Sequence, residues 1–367
     1  MTFQGPPPRA STPLPAPLQP KGRGARSNTS GRFEAQSYEP FDDGWSQDPA
    51  PKLRTTLLKD RSKSIISYND SPDLHFDRSL NPYRGCEHGC VYCYARPSHA
   101  YWGYSPGLDF ESKIFYKPNA IELLEKAFQK KSYEVQPIML GANTDAYQPV
   151  ERQLRITRSI LELCLKYRHP VGLITKSTGI VRDLDVLAEL AQLNLARAAI
   201  SITTLDPKLA RDMEPRAATP VRRLDALSQL KAASIPATVM MAPIIPGLND
   251  REIEPLLSAA KEAGAGSAYY VLLRLPLEIK DLFYEWLGDI RPQSAKKIIS
   301  LIRQTRNGKD YDSRFGQRQT GEGPVADMIA QRFNLARKKL GLKEARMSLR
   351  TDLFERPLDD DRQASLF

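Results

Sequence analysis

From residue 137 to residue 275 the chain repeats one alternation: a short apolar run, then a stretch with apolar residues at helical spacing. "PIMLGA" (137–142) reads as a buried strand and 151–168 as the amphipathic helix after it. "PVGLITK" (170–176) is the next strand, followed by a helix capped by Asp183 and running to about 194. "RAAISITT" (197–204) is strand again, and Thr219-Pro220 opens a helix through 233 with proline at its favoured first position. "PATVMMAPIIPG" (236–247) ends in a Pro/Gly loop, Asp250 caps a helix to 263, and "AYYVLLRL" (268–275) is the last clear strand. Alternation of this kind specifies βαβ units around a parallel sheet. With one more strand leading into the segment before 86 there are about six units, too few for a closed eight-stranded barrel. The expected fold is α/β: a partial (βα)6 TIM-like barrel, whose ligands gather at the carboxyl ends of the strands.

Outside that pattern the chain divides as follows. Residues 1–55 are rich in Pro, Gly, Ser and Arg and are expected to lack structure, because they cannot bury enough apolar surface to offset chain entropy. The barrel is expected over 70–290 and a helical, basic extension over 291–350. There Val325, Ile329, Phe333, Ala336 and Leu340 share one helix face across 324–341, and Gly341 can end that helix. Residues 351–367 read as a flexible tail. Neither a secretory signal nor a membrane-crossing run is found, so a soluble, cytoplasmic protein is expected.

Charge sharpens this division. The formal net charge is +10, and 291–350 alone carry 15 Lys or Arg against 5 Asp or Glu. A localised basic region points to a polyanionic partner such as DNA, and equally to helices with solvated basic faces.

The candidate chemistry lies in "NPYRGCEHGCVYCYARPSHAYWGYSPGLDF" (81–110), which holds Cys86, Cys90 and Cys93, three of the four cysteines. So few, so clustered, they do not make a secreted disulfide framework; in a reducing compartment they suggest metal. Structural zinc needs four ligands. His88 is the best candidate for the fourth, yet Glu87-His88-Gly89 also reads as a polar turn, and no second ligand pair follows. Cys164 shares a helix face with Ile160, Leu161 and Tyr167 and reads as a small core residue. His75, His99 and His169 have no ligand-like spacing. Three thiolates suit a four-iron cluster with one iron left open, and Gly85 and Gly89 allow the backbone to wrap it and donate N–H groups to its sulfurs.

C-x3-C-x2-C with Tyr92 before the third cysteine, together with the six-unit pattern over about 75–275, resembles the radical S-adenosylmethionine (SAM) superfamily. "LNPYRGCEHGCVYCYAR" and "MAPIIPGLND" (241–250) resemble its spore photoproduct lyase-like branch. The resemblance implies a 4Fe-4S cluster on the three cysteines and SAM chelating the open iron. It further implies reductive cleavage to a 5′-deoxyadenosyl radical that abstracts hydrogen, and a reductant such as flavodoxin or ferredoxin. The superfamily's Gly-Gly-Glu type segment is replaced here by "GANTDAYQPVE" (141–151), where Asn143, Thr144 and Asp145 stand and Asp145 could take the methionine amine. Lys176, Ser177, Ser201 and Thr203 are polar residues at strand ends that could line the same site. Pro243 through Asn249 and Tyr92 could contact adenine.

The resemblance also raises a doubt about thymine-dimer repair: a hydrogen-returning cysteine downstream of the cluster could only be Cys164, on a packed helix face. Tyr94, Tyr101, Trp102 and Tyr104 read either as a stacking surface or as packing around the cluster. The terminal "RQASLF" looks like a peptide that docks on the bacterial sliding clamp, with Leu366 and Phe367 in an apolar groove and Gln363 making polar contacts. Three functions are therefore expected in competition: DNA repair-like radical SAM chemistry on nucleic acid; the same chemistry on RNA, protein or a small metabolite; or a non-catalytic, metal-stabilised nucleic-acid adaptor.

Overall fold

The computed structural model describes residues 22–34, 53–345 and 348–356. The chain enters through β1 (Thr56–Lys59), β2 (Ile66–Tyr68) and β3 (Arg78–Leu80), and β4 (Tyr83–Arg84) leads straight into the cysteine-rich loop. Helix α1 (Leu108–Ser112) and β5 (Lys113–Tyr116) close that loop, and α2 (Ala120–Phe128) follows. Then β6 (Ile138–Leu140), β7 (Val171–Thr175), β8 (Ala196–Ser201), β9 (Ala237–Ile244) and β10 (Ser267–Leu272) alternate with helices. These are α3 (Glu151–Leu154), α4 (Ile156–Lys166), α5 (Leu184–Gln192), α6 (Pro207–Met213), α7 (Pro220–Ala232) and α8 (Ile253–Glu262). The remainder holds α9 (Ile279–Ile290), α10 (Ala295–Gln304), α11 (Pro324–Lys339) and β11 (Lys343–Glu344).

Six parallel strands, in the order β3-β6-β7-β8-β9-β10, form the expected partial barrel. Antiparallel β2 extends one edge and parallel β11 the other. These two edges do not pair with each other among the described residues, so the sheet stays open. Side chains such as Leu173, Ile200, Val239 and Leu272 are buried in one continuous core with the helices outside. Each such side chain contributes about 1.5–3 kcal/mol by leaving water. A second sheet, β1-β5-β4, carries the cysteine loop beside the barrel mouth.

Loops bridge the open side. Asp73, between β2 and β3, accepts bonds from Arg318 Nε (2.5 Å) and Gly316 N (2.6 Å) in the loop before α11. Gln319 donates to the Asp73 carbonyl (3.3 Å), and Arg318 also reaches Ser71. The first and last thirds of the barrel are thus latched together by one buried carboxylate.

Several expectations need correction. The helix expected over 151–168 is broken at Arg155, which sits in the left-handed region at φ 52°, because the buried Glu151 carboxylate holds Thr157 N (3.1 Å) and the Tyr83 hydroxyl. Asp183 and Asp250 make no side-chain bond at the starts of α5 and α8; Asp183 pairs with Arg182 and Arg158, and Asp250 accepts from Gly247 N. Part of the segment expected to lack structure is packed: residues 22–34 lie against the cysteine loop, with Arg23 and Ala25 buried.

The 291–350 extension is continuous with the barrel. α11 buries Ala326, Ile329, Phe333 and Ala336, partly covers Val325 and Leu340, and bonds Glu254 of α8 through Arg332. Much of its positive charge is consumed internally, in Arg303–Asp310, Arg314–Asp312, Arg318–Asp73 and Arg332–Glu254. The Gln363, Leu366 and Phe367 tail lies outside the described residues. Among the described residues no helix is long and apolar enough to cross a membrane.

Candidate cofactor site

The cysteine loop is built from its backbone outward. Cys86 N donates to Phe110 O (2.9 Å), Val91 N to Met213 O (3.0 Å) and Cys93 N to Cys90 O (3.2 Å). Gly85 and Gly89 both take positive φ, 75° and 66°, and a Cβ on Gly85 would stand 2.8 Å from Phe110 O. These two turns need glycine. Arg96, fully buried, ties the loop together: Nε reaches Cys90 O (3.0 Å), Nη1 reaches Pro106 O and Gly107 O, and Nη2 pairs with Glu111 (2.5 Å). Glu87 accepts from Thr55, Arg216 and Val150 N, so it too is structural.

Cys86, Cys90 and Cys93 all line a cavity of about 320 Å³ that runs along the inside of the partial barrel. Burial pushes the Cys86 thiol well up and the Cys90 thiol up to about 12, and it raises Cys93 as well. Buried thiols of this kind become thiolates by binding metal. No three His, Cys, Asp or Glu side chains among the described residues converge on one point, as a single ion would need. Three thiols on one cavity wall, with no fourth protein ligand beside them among the described residues, are a donor set that fits a cluster whose irons spread the ligands around its faces. His88, the candidate fourth ligand, has its Nδ1 held 3.2 Å from Asp145.

Of the residues proposed for SAM, the structure brings Tyr92, Asn143, Asp145, Lys176, Ser201 and Pro243 to the cavity wall. Four others are turned elsewhere. Thr144 Oγ1 donates to Tyr83 O (2.8 Å) and Ser177 accepts from Gly179 N (3.0 Å). Thr203, beyond the end of β8, donates to Glu214 (2.6 Å). Asn249 pins the loop after β9 by donating to Thr203 O and Pro243 O and accepting from Ile245 N.

Asp145 is on the wall but fully engaged. Its oxygens accept from Tyr147 N (2.9 Å), Thr175 Oγ1 (2.7 Å) and Lys176 N (2.8 Å), beside the His88 contact. Burial works against its charge, but His88 and these donors outweigh burial and hold the carboxyl below the usual range. It organises the strand ends and leaves little capacity for an amine. Lys176, by contrast, makes no ion pair among the described residues; its ammonium lies 5.7 Å from the Tyr92 ring centre.

Residue-by-residue reading of the sequence missed three parts of this site. The first is the buried network beneath Tyr92, whose hydroxyl bonds Glu214, which in turn pairs with Arg223. Burial would raise the Glu214 pKa; Arg223 and Lys176 reverse this and bring it down to about 2. The second is Glu111, which accepts from Gly24 N (2.9 Å) and Ala25 N (2.8 Å) as well as Arg96. The third is the far wall of the cavity, with His75, Arg197, Tyr269, Arg274 and Gln319.

The aromatic run serves mostly as packing. Tyr104 meets His99 and Phe115, Trp102 meets Phe115 under Arg84, and Tyr101 stacks on Phe33 of the 22–34 segment. Tyr94 alone of the four lines the cavity. Cys164 is buried in α4, its thiol raised to about 12 by burial, and it is not part of the cavity wall. His99 and His169 are buried, as core residues.

Comparison with known proteins places this geometry. The family model described as "Radical SAM superfamily" matches residues 80–260. Uncharacterized proteins of Mycobacterium bovis and Mycobacterium tuberculosis are 34% identical over 233 residues, covering 63% of this chain and 68% of theirs. An uncharacterized protein of Methanocaldococcus jannaschii is 29% identical over 242 residues, covering 66% of this chain and 86% of its own. Among solved structures, a spore photoproduct lyase complexed with dinucleoside spore photoproduct aligns with a TM-score of 0.56 at 12% identity, over 77% of this chain and 79% of that one. A lyase variant with bound AdoMet and the same dinucleoside aligns with a TM-score of 0.58 at 13% identity, over 80% and 82%. At those identities the likeness is one of fold.

Proposed function

The chain belongs to the radical SAM superfamily and is an enzyme of that class, and from that premise we propose that it acts on nucleic acid with a cluster held by Cys86, Cys90 and Cys93. The superfamily's cofactors are a 4Fe-4S cluster and SAM; when bound, they supply carbon-radical chemistry that begins with hydrogen-atom abstraction. The protein's share is to bind, orient and shield. Lys176 offers an ammonium that makes no ion pair among the described residues for the SAM carboxylate, and Ser201 and the backbone around Asn143 border the same space. Tyr92, fixed by Glu214 and Thr203, walls off the base of the site, and the buried loop around Arg96 keeps water from the sulfurs. A one-electron donor of flavodoxin or ferredoxin type completes the requirement.

The observation that carries the reading is the shared cavity: three thiols line the same space as a set of arginine, tyrosine and glutamine side chains suited to a larger polar substrate. The fold shared with a lyase solved around a dinucleoside supports a nucleic-acid target. No cysteine other than the three in the loop borders the cavity among the described residues, which argues for an outcome different from thymine-dimer reversal.

Anaerobic reconstitution tests both parts. The wild type should take up about four irons and cleave SAM to 5′-deoxyadenosine and methionine on reduction, and Cys93→Ala should do neither. Transfer of deuterium from labelled DNA or RNA into 5′-deoxyadenosine would establish the target. Cleavage of SAM with no transfer from any nucleic acid would move the chemistry to protein or a small metabolite. A colourless protein that binds zinc would sink the enzymatic reading.

A further inference from the structure

The cavity wall contains a cation without a counter-charge among the described residues. Arg274 follows β10, and its only hydrogen bond among the described residues is a long one from Nη2 to the Tyr311 hydroxyl (3.4 Å). Its Nε is buried with no partner. No carboxylate pairs with it among the described residues. Instead its guanidinium lies 5.2 Å from the ring centre of Tyr94, the residue next to Cys93. Behind it stands a second arginine, Arg306, buried and bonded only to carbonyls: Gln317 O (2.7 Å) and Leu273 O (2.8 Å). Burial, and after it the field of Arg274, push the Arg306 pKa down to about 10 against the opposing fields of Tyr311, Asp312 and Glu322.

The acids on the cavity wall are already committed. Asp73 is held by Arg318, and Asp145 by His88, Thr175 and Lys176 N. SAM would bring one carboxylate, and Lys176 is placed to take it. Arg274 would then remain without an anion. A buried or half-buried guanidinium is costly unless an anion meets it. Its planar fork suits a phosphate or a carboxylate. The neighbouring group decides between them. Tyr94 is 46% exposed, lines the cavity and has its hydroxyl anchored to Ala142 O, so the ring is held in place with the cation over one face. An aromatic face next to an arginine is the arrangement that stacks a base while holding its phosphate.

We propose that Arg274 and Tyr94 form the subsite for one nucleotide unit of the substrate, Arg274 taking the phosphate and Tyr94 the base. This rests on the nucleic-acid reading above and adds to it the place where the strand is gripped. The grip lies one residue beyond the last cluster cysteine, so the sugar and base of that unit are brought to the cofactor end of the cavity.

The test is binding of short labelled DNA and RNA strands to the anaerobically reconstituted full chain with SAM, read by fluorescence anisotropy. Arg274→Ala should weaken binding about tenfold, the value of one charge-assisted contact. Arg274→Lys, which keeps charge and stem, should recover part of the loss and guards against a folding artefact. Strands with one phosphate replaced by an uncharged methylphosphonate give the decisive cycle. One position should cost the wild type about tenfold and cost Arg274→Ala nothing. Competition by a nucleoside monophosphate tells whether a free nucleotide satisfies the subsite or a strand is needed. If Arg274→Ala keeps the wild-type sensitivity at every position, the subsite is wrong and the nucleic-acid reading stands. If the wild type binds no strand, the nucleic-acid reading fails and the subsite with it.

Discussion

Gly24→Ala should uncouple the 22–34 segment from the cysteine loop. A Cβ at this position would stand 1.8 Å from Gly89 O and 3.0 Å from Gly89 C. Both are backbone atoms of the cluster-binding turn, so no side-chain rotation relieves the clash, and the segment must move as a unit. Moving it breaks the bonds from Gly24 N (2.9 Å) and Ala25 N (2.8 Å) to Glu111, and displaces Arg23 from Glu111 O (2.5 Å). Hydrogen bonds to a charged group are worth about 1.5–3 kcal/mol each, and two of them set a scale of about 3 kcal/mol for attachment. At 1.4 kcal/mol per factor of ten, the wild-type segment would be detached in about one molecule in a hundred, and in the variant it would be largely detached. The Arg96–Glu111 pair inside the loop survives, so the fold and the cluster site persist.

The assay is the rate at which reconstituted cluster bleaches in air, followed by its visible absorbance, together with limited proteolysis near Arg26 and Arg32. If detachment exposes the turn at Gly89, both rates should rise by up to about a hundredfold, with iron loading in the absence of oxygen little changed. Bleaching and cleavage at wild-type rates would refute the reasoning, because the clash would then have been absorbed without displacing the segment.

Acid should destabilise the fold before it strips carboxylate pairs. Burial lowers His169 to about 3 and His99 to about 4, so the unfolded chain takes up protons first as pH falls below about 6.5. Stability from keeping these rings neutral is present above that pH and is lost progressively toward pH 4. Melting temperature should fall across this window, and His169→Phe, stacked in place on Phe128, should flatten the fall. Cys164→Ala should leave SAM cleavage and hydrogen transfer unchanged, while Cys164→Ser should lower stability by about 1–3 kcal/mol by burying a hydroxyl on an apolar face. A loss of product with Cys164→Ala would restore this thiol as a hydrogen donor. Asp73→Ala should open the barrel's lateral seam, raising amide exchange in 69–77 and 312–322 together; exchange confined to one of the two loops would deny the latch.

What the sequence by itself determined is everything with a local period. Five of the six strands of the barrel and most of their helices follow from apolar runs alternating with 3.6-residue repeats, because each element's face is written in its own neighbours; the first, Arg78–Leu80, has no apolar run. The cysteine spacing likewise contained its own chemistry, and the lack of a second ligand pair already disfavoured zinc. Position along the chain was also enough to bring Asn143, Asp145, Lys176, Ser201 and Pro243 to one end of the barrel, since strand ends converge there. Their partners were not legible. Asp145 was expected to wait for an amine, but His88, Thr175 and Lys176 N consume it, and those contacts join loops from three different strands.

Tertiary structure alone decided the rest. Glu111 meets Gly24 across 87 positions, Tyr92 meets Glu214 across 122, and Asp73 meets Arg318 across 245. A carboxylate's role depends on which donor reaches it, and donors brought in by chain folding over such separations leave no mark in composition or period. For the same reason a segment read as too polar to fold became the cover of the cluster loop. It buries little apolar surface of its own; a carboxylate already buried in the loop provides the attachment its composition lacks.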